Sequence, residues 1–146
     1  MKIDKAYLRL KFKEYNKLYF GRKLITPQFT TFLSGRGYLG ICYYHKDKSR
    51  MKISIARNVD WTEETLRKVL VHEMIHLYLF QNVGYRQGNC HGKHFREMAE
   101  KIKETDGLVI TKFNPEIILI NKKKTEQPKS FLGKIFAPLK RFLIGT

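Results

Sequence analysis

Three features of the 146-residue sequence predict a small α+β domain followed by an appendage. An amphipathic helical pattern opens the chain, three short strand-like stretches follow it, and two further helical stretches come next. These elements fall within residues 1–114, which are long enough to bury a core of their own. Residues 115–146 form a second region, a basic linker with an amphipathic C-terminal segment.

Residues 4–20 are predicted to form the N-terminal helix. Apolar side chains recur there at helical intervals, at Leu8, Phe12, Tyr15 and Tyr19. A basic stripe lies roughly a quarter turn away, on Lys2, Lys5, Arg9 and Lys13. Gly21 is expected to end the helix, which can pack with one flank and present positive charge with the next.

Three strands are predicted, at residues 29–33, 38–44 and 51–55. Glycines and the polar turn 46–50 separate them. In the third stretch three apolar residues alternate cleanly with two polar ones, in the order Met51, Lys52, Ile53, Ser54, Ile55. We expect the three strands to form an antiparallel meander.

The next helix is predicted around the string HEMIH, which contains His72, Glu73 and His76. Apolar residues surround this string on nearly every face, at Leu66, Val69, Leu70, Met74, Ile75, Leu77 and Phe80. This pattern indicates a helix buried inside a small domain. Its start is expected at Asp60, with Glu63 three positions later, or at Thr62.

The spacing within HEMIH predicts a metal site. Positions four apart lie about 40° apart around a helix axis, so His72 and His76 can both reach one ion. Glu73 points beside that ion, where it is a poor ligand but well placed to take a proton from water that the metal activates. The alternative is that both histidines are hydrogen-bonded core residues and that Glu73 is ion-paired.

The number of protein ligands decides between a catalytic and a structural zinc, because a catalytic ion keeps three and a structural one has four. The metzincin spacing does not supply the third ligand, since Leu79 and Asn82 stand where its glycine and last histidine would be.

The candidates for the third ligand are Cys90, His91, His94 and Glu97. His91 is favoured because Gly92 follows it and a predicted amphipathic helix begins there, with Phe95, Met98, Ala99 and Ile102 on its apolar side. His94 is the second choice, with a supporting or merely exposed position as its alternative.

These motifs resemble the SprT-like family, which includes the Spartan proteases that act on DNA-protein crosslinks. The resemblance spans about residues 5–113, with HEMIH, the downstream string HGKHF, a basic aromatic-rich helix and the string GYLGICY. It implies a zincin-like minimal metalloprotease domain in which His72, His76 and His91 hold one Zn²⁺ and Glu73 is the catalytic acid/base. Many relatives continue into a zinc ribbon with Cys-x-x-Cys knuckles, which this sequence lacks, so DNA binding through such a ribbon is not implied.

The net charge of +16 is unevenly distributed along the chain. Residues 1–60 carry 14 basic and 4 acidic side chains, residues 61–114 carry 8 and 7, and residues 115–146 carry 7 and 2. A neutral site region between basic flanks predicts a polyanion partner, most simply DNA. The alternative is a solvated, lysine-rich surface.

The cellular location is predicted to be cytoplasmic, with association with the nucleoid as one form of it. The sequence has neither a long apolar stretch nor a secretory signal, and Cys42 and Cys90 are expected to be reduced. Residues 131–143 follow helical spacing and are expected to dock on the domain, with an anionic membrane surface or a partner protein as alternatives. The sequence does not predict an oligomeric state.

Together these features predict a zinc-dependent peptidase that cleaves DNA-bound or DNA-crosslinked proteins. An extended substrate is expected to add to an exposed edge of the sheet beside the metal. A non-enzymatic nucleic-acid-binding module with a structural zinc is the first alternative, and a zinc-dependent nuclease is the second.

Overall fold

A computed structural model describes three parts of the chain, residues 1–35, 38–84 and 90–111. Within these parts the chain forms three α-helices and three strands: α1 (Lys5–Phe20), β1 (Gln28–Phe32), β2 (Gly40–Tyr43), β3 (Lys52–Ala56), α2 (Glu63–Asn82) and α3 (Lys93–Asp106). The predicted α+β class is confirmed. The linker and C-terminal segment predicted at 115–146 lie outside the described residues, so the domain boundary stays a prediction.

Both ends of α1 have the expected capping groups. The Asp4 carboxylate accepts a hydrogen bond from the Tyr7 N–H at 2.8 Å, and Gly21 ends the helix in the left-handed conformation at φ 57°. Most of the predicted apolar stripe faces the core, with Leu8, Phe12 and Tyr15 buried. Tyr19 is only partly buried and donates its hydroxyl hydrogen to Asp106 of α3 at 2.7 Å.

The sheet is mixed and has the strand order β1-β3-β2. β1 runs parallel to β3, with Gln28 opposite Lys52, whereas β2 runs antiparallel to β3, with Gly40 opposite Ile55. The prediction of an antiparallel meander is therefore wrong for β1, which neighbours β3 instead of β2. Alternation of apolar residues specifies which face of a strand is buried, but it does not specify the partner strand or its direction.

β3 is the central strand and is buried on both faces. Ser54 belongs to the polar half of the predicted alternation, yet it is buried between Ile53 and Ile55. Its hydroxyl accepts a hydrogen bond from the Thr30 hydroxyl of β1 at 2.8 Å, which satisfies the buried polar group. α1 packs on β1, α2 packs on β2, and the two helices also contact each other.

α2 begins at Thr62, the second of the two predicted starting points. The Thr62 hydroxyl accepts the Thr65 N–H, and the Thr65 hydroxyl accepts the Thr62 N–H at 2.9 Å, which forms a reciprocal cap. Every residue from 69 to 77 is buried, as predicted for a helix in the middle of the domain. The HEMIH string therefore lies inside the core.

The described parts of the chain hold no helix with the length and apolar content that crossing a bilayer would need.

Candidate metal centre

Three histidine side chains meet between α2 and the segment before α3. The Nε2 atoms of His72 and His76 are 3.1 Å apart, and the Nε2 atom of His91 lies 3.1 Å from the first and 3.2 Å from the second. His72 and His76 project from successive turns of α2, and His91 lies two residues before α3 begins. Each imidazole nitrogen offers one lone pair or one N–H, directed outward in the plane of the ring. Three such nitrogens therefore cannot all be satisfied by hydrogen bonds to one another.

This donor set fits a divalent cation. Tetrahedral coordination with Zn–N bonds of about 2.0–2.1 Å separates the nitrogen atoms by about 3.3–3.4 Å. The observed separations of 3.1–3.2 Å are close to that value. The three histidines could hold a metal ion. A tetrahedral ion bound by three protein ligands keeps one position for a water molecule.

The two histidines of α2 have lowered pKa values, which favour the neutral form that a metal ligand requires. Burial is the main cause that lowers the pKa of His72 and of His76 well below the usual range, and the neighbouring histidines lower it further. Both rings are therefore neutral near pH 7. The His72 Nδ1 atom lies 3.0 Å from the Thr111 carbonyl oxygen, which can only accept, so the proton resides on Nδ1 and the Nε2 lone pair faces the other two rings.

Phe95 supports all three imidazoles. Its ring centroid lies 4.8 Å from that of His91, 4.9 Å from that of His72 and 5.0 Å from that of His76. The phenyl ring is buried in the first turn of α3, so the start of this helix fixes the position of the rings. The sequence pattern indicates Phe95 only as a core residue of α3 and as part of the family resemblance. Its packing against the three histidines is a tertiary contact, which the local sequence does not indicate.

The other three candidates for the third ligand lie outside this cluster. The Cys90 sulfur is 3.6 Å from the His91 Nδ1, the ring nitrogen that faces away from the other histidines. His94 lies with its Nδ1 3.9 Å from the Glu97 carboxylate, and both side chains are about half exposed. The structure thus groups His91, and none of the other three, with the histidines of HEMIH.

Glu73 is fully buried on the side of α2 that faces β2. Within the described residues neither carboxylate oxygen has a hydrogen-bond partner of good geometry, and the ion pair considered as an alternative for this glutamate does not occur. Burial raises the pKa of the Glu73 carboxyl to about 8, and the Cys42 backbone N–H, which lies nearby, lowers it only in part. An uncompensated buried carboxyl beside the three histidines needs a functional explanation.

A cavity of about 260 Å³ opens beside His76, between the end of α2 and the start of α3. Its walls are mainly apolar, with contributions from Leu79, Phe80, Val83 and Phe95. The histidine cluster therefore has free space next to it that can accept an apolar side chain of a bound molecule.

The fold and the cluster define a class of protein, an α+β domain with three convergent histidines that could hold a metal ion and a buried glutamate that directly follows the first of them in α2. The sequence profile of the SprT-like family matches residues 8–116, which is most of the chain. The chain therefore belongs to the SprT-like family. A separate comparison with curated proteins found no match.

Proposed function

We propose that the protein is a zinc-dependent peptidase of the cytoplasm or nucleoid and that its substrates are proteins bound or crosslinked to DNA. The observation that carries this proposal is the cluster of three histidine nitrogens together with the buried Glu73, which directly follows His72 in α2 and has no hydrogen-bond partner of good geometry within the described residues. Membership of the SprT-like family supports it. Zinc is proposed because imidazole ligands with this spacing suit it, although a three-histidine site also binds cobalt or nickel in vitro.

In this proposal the three histidines hold the ion and Glu73 moves the proton. A bound divalent cation supplies Lewis acidity, which polarises the scissile carbonyl and makes water more acidic. Glu73 accepts the proton of the attacking water and then donates it to the departing amine.

The edge of the sheet at β2 is the proposed binding surface for the substrate backbone. β2 lies at an edge of the sheet formed by the described strands. The Leu39 carbonyl accepts the Ala56 N–H at 2.9 Å, and paired residues alternate in an antiparallel ladder, so the backbone groups of Gly40 and Cys42 are directed away from β3. An extended peptide can pair with the Gly40 groups beside Glu73. We propose a zincin-like fold on this basis, with the substrate backbone bound along the edge strand β2 beside the helix that carries HEMIH.

The exposed face of α1 is the proposed DNA-binding surface. Three residues of the basic stripe, Lys5, Arg9 and Lys13, lie in α1 and Lys2 lies just before it; all four are exposed. None of them forms an ion pair with another residue in the described part of the chain, whereas Lys11 pairs with Glu14 and Glu63 at 3.2 Å and 3.1 Å. Three such cations along one helix face, with a fourth just before the helix, can contact successive phosphates without reading the base sequence.

The test is cleavage of a protein crosslinked to DNA, compared with the same protein free in solution. Zinc-loaded wild type is expected to shorten the crosslinked protein and to leave the DNA strand intact, and Glu73→Gln is the matched inactive control. Cleavage of the DNA strand would support a nuclease instead. A fully zinc-loaded wild type that cleaves neither polymer would contradict the peptidase proposal and favour the nucleic-acid-binding module.

A further inference from the structure

Gly40 lies where β2 approaches α2 most closely. A Cβ atom at this position would lie 2.9 Å from the Glu73 Cγ, 3.0 Å from the Glu73 Oε1 and 3.1 Å from the Val69 Cγ1. Carbon atoms pack at about 3.5–4.0 Å, so the methyl group of an alanine cannot enter without displacing these neighbours. Two of the three closest atoms belong to the proposed acid/base, and none belongs to the histidine cluster.

We propose that Gly40 is a positioning residue for Glu73, and that the absence of a side chain at position 40 leaves the space in which the carboxylate takes its working position. This inference rests on the proposed peptidase function. In this role Gly40 acts through the glutamate, because it has no side chain that could contact the reacting atoms; its backbone groups, which an alanine would keep, are those proposed to pair with the substrate.

The backbone conformation does not explain a glycine at this position. The described glycines with left-handed φ values are Gly21, Gly84 and Gly107, and Gly40 is not among them. A glycine inside a strand weakens it, because glycine loses the most conformational freedom on folding and offers no side chain to pack. Close approach of the neighbouring helix is the remaining physical reason for a glycine here.

Packing has to orient Glu73 because the Cys42 backbone N–H, although it lies near the carboxylate, does not form a hydrogen bond of good geometry with it. The side chain is fully buried, and within the described residues its two oxygen atoms lack partners of good geometry. The carboxylate is therefore held by the surfaces that surround it, and Gly40 of β2 is one of them. Filling the space at position 40 must push the Glu73 carboxylate by several tenths of an ångström or move the strand.

The experiment compares Gly40→Ala with Gly35→Ala. Gly35 is a matched control because it is also outside the left-handed region and a Cβ there would meet nothing within 4 Å. Gly40→Ala is expected to lower kcat by about 10- to 100-fold, the range that small displacements of a catalytic group produce, with KM and zinc affinity within about twofold of wild type. Gly35→Ala is expected to match wild type in all three.

A second readout does not depend on cleavage. The urea midpoints of the metal-free wild type, Gly40→Ala, Glu73→Ala and the double variant form a double-mutant cycle. Because Glu73→Ala removes the Cγ and Oε1 atoms that a Cβ at position 40 would meet, Gly40→Ala is expected to lower the midpoint less in that background than in wild type. If Gly40→Ala alone does not fold, Gly40→Ala with Val69→Ala provides the comparison, since it removes the contact at 3.1 Å.

The outcomes separate this inference from the peptidase proposal. A kcat unchanged by Gly40→Ala, or additive shifts in the urea cycle, would overturn the positioning role while leaving the peptidase proposal intact. A wild type without peptidase activity would overturn the peptidase proposal and the positioning role together, although the urea cycle would still report whether the two residues touch.

Discussion

Two parts of the core contain buried polar side chains, and they differ in whether those side chains are hydrogen-bonded. Asn16 of α1 exchanges two hydrogen bonds with the Leu24 backbone at 3.1 Å and 3.2 Å, and Gln81 of α2 exchanges two with the Ile25 backbone at 3.0 Å and 2.9 Å. Glu73, two turns before Gln81 in the same helix, is buried as deeply, but within the described residues neither of its carboxylate oxygens has a hydrogen-bond partner of good geometry.

The comparison distinguishes buried polar residues that stabilise the fold, Asn16 and Gln81, from one with a proposed role in the reaction, Glu73. Asn16 and Gln81 satisfy the backbone between α1 and β1, which would otherwise leave amide and carbonyl groups unpaired in the core. A buried carboxyl without a partner destabilises the fold by about 1–3 kcal/mol or more. A destabilising buried group is expected where that group has a functional role. The histidine cluster indicates that the role of Glu73 is the proposed one of acid/base.

The largest expected effect is that of removing a histidine from the cluster. His76→Ala should lower zinc affinity by more than about 100-fold, because removal of even a supporting group costs about 10- to 100-fold, and cleavage should be lost with the metal. Competition with a colorimetric chelator measures the affinity. His94→Ala is the control and should retain wild-type affinity, since His94 lies outside the cluster; equal losses in both variants would mean that the ligand set has been assigned incorrectly.

Glu73→Gln should affect turnover alone. Glutamine keeps the shape of the side chain but cannot take a proton from water, so kcat is expected to fall by about 10²- to 10⁴-fold. Zinc content should stay at one ion per chain, as measured by elemental analysis of the purified variant. Turnover near the wild-type value would remove Glu73 from the proposed mechanism.

Replacement by leucine should change the free energy of unfolding in opposite directions for Gln81, which is hydrogen-bonded, and for Glu73, which lacks a hydrogen-bond partner of good geometry within the described residues. Gln81→Leu leaves the Ile25 amide and carbonyl unpaired and is expected to destabilise the protein by about 1–3 kcal/mol per orphaned group. Glu73→Leu removes an uncompensated carboxyl and is expected to stabilise the metal-free protein by about 1–3 kcal/mol. Urea unfolding measures both, and a destabilised Glu73→Leu variant would indicate that the carboxylate has a partner in solution.

The smallest expected effect extends the same comparison to the surface. Lys5 has no ion-pair partner in the described part of the chain, whereas Lys11 has two. Lys5→Ala should reduce the slope of log affinity for duplex DNA against log salt by about 0.9, the value for one lost phosphate contact. Lys11→Ala should leave that slope unchanged in the same fluorescence titration, and the reverse result would place the DNA elsewhere.

The local features of the site could be predicted from the sequence, because they depend on helix geometry. The spacing of HEMIH alone brings His72 and His76 to one side of α2, and the caps at Thr62 and Gly21 follow from residue type. His91 was predicted from the helix that follows it. Its meeting with the α2 histidines is a tertiary contact that spacing allowed but did not require.

The non-local features could not be predicted. The parallel pairing of β1 with β3 depends on how the chain crosses the sheet, and the alternation in β3 carries no information about that path. The Thr111 carbonyl that fixes the His72 tautomer is a backbone group, so no residue type indicates it. Gly40 looks like any strand glycine until the approach of Glu73 is known.

The most direct test of the central claim is X-ray absorption spectroscopy of the zinc-loaded protein at the zinc edge. Three imidazole nitrogens at about 2.0–2.1 Å and a non-protein oxygen in the remaining position are expected. A sulfur ligand at about 2.3 Å, which would implicate Cys90, or a fourth imidazole would contradict the claim that three histidines hold the ion and leave one position open.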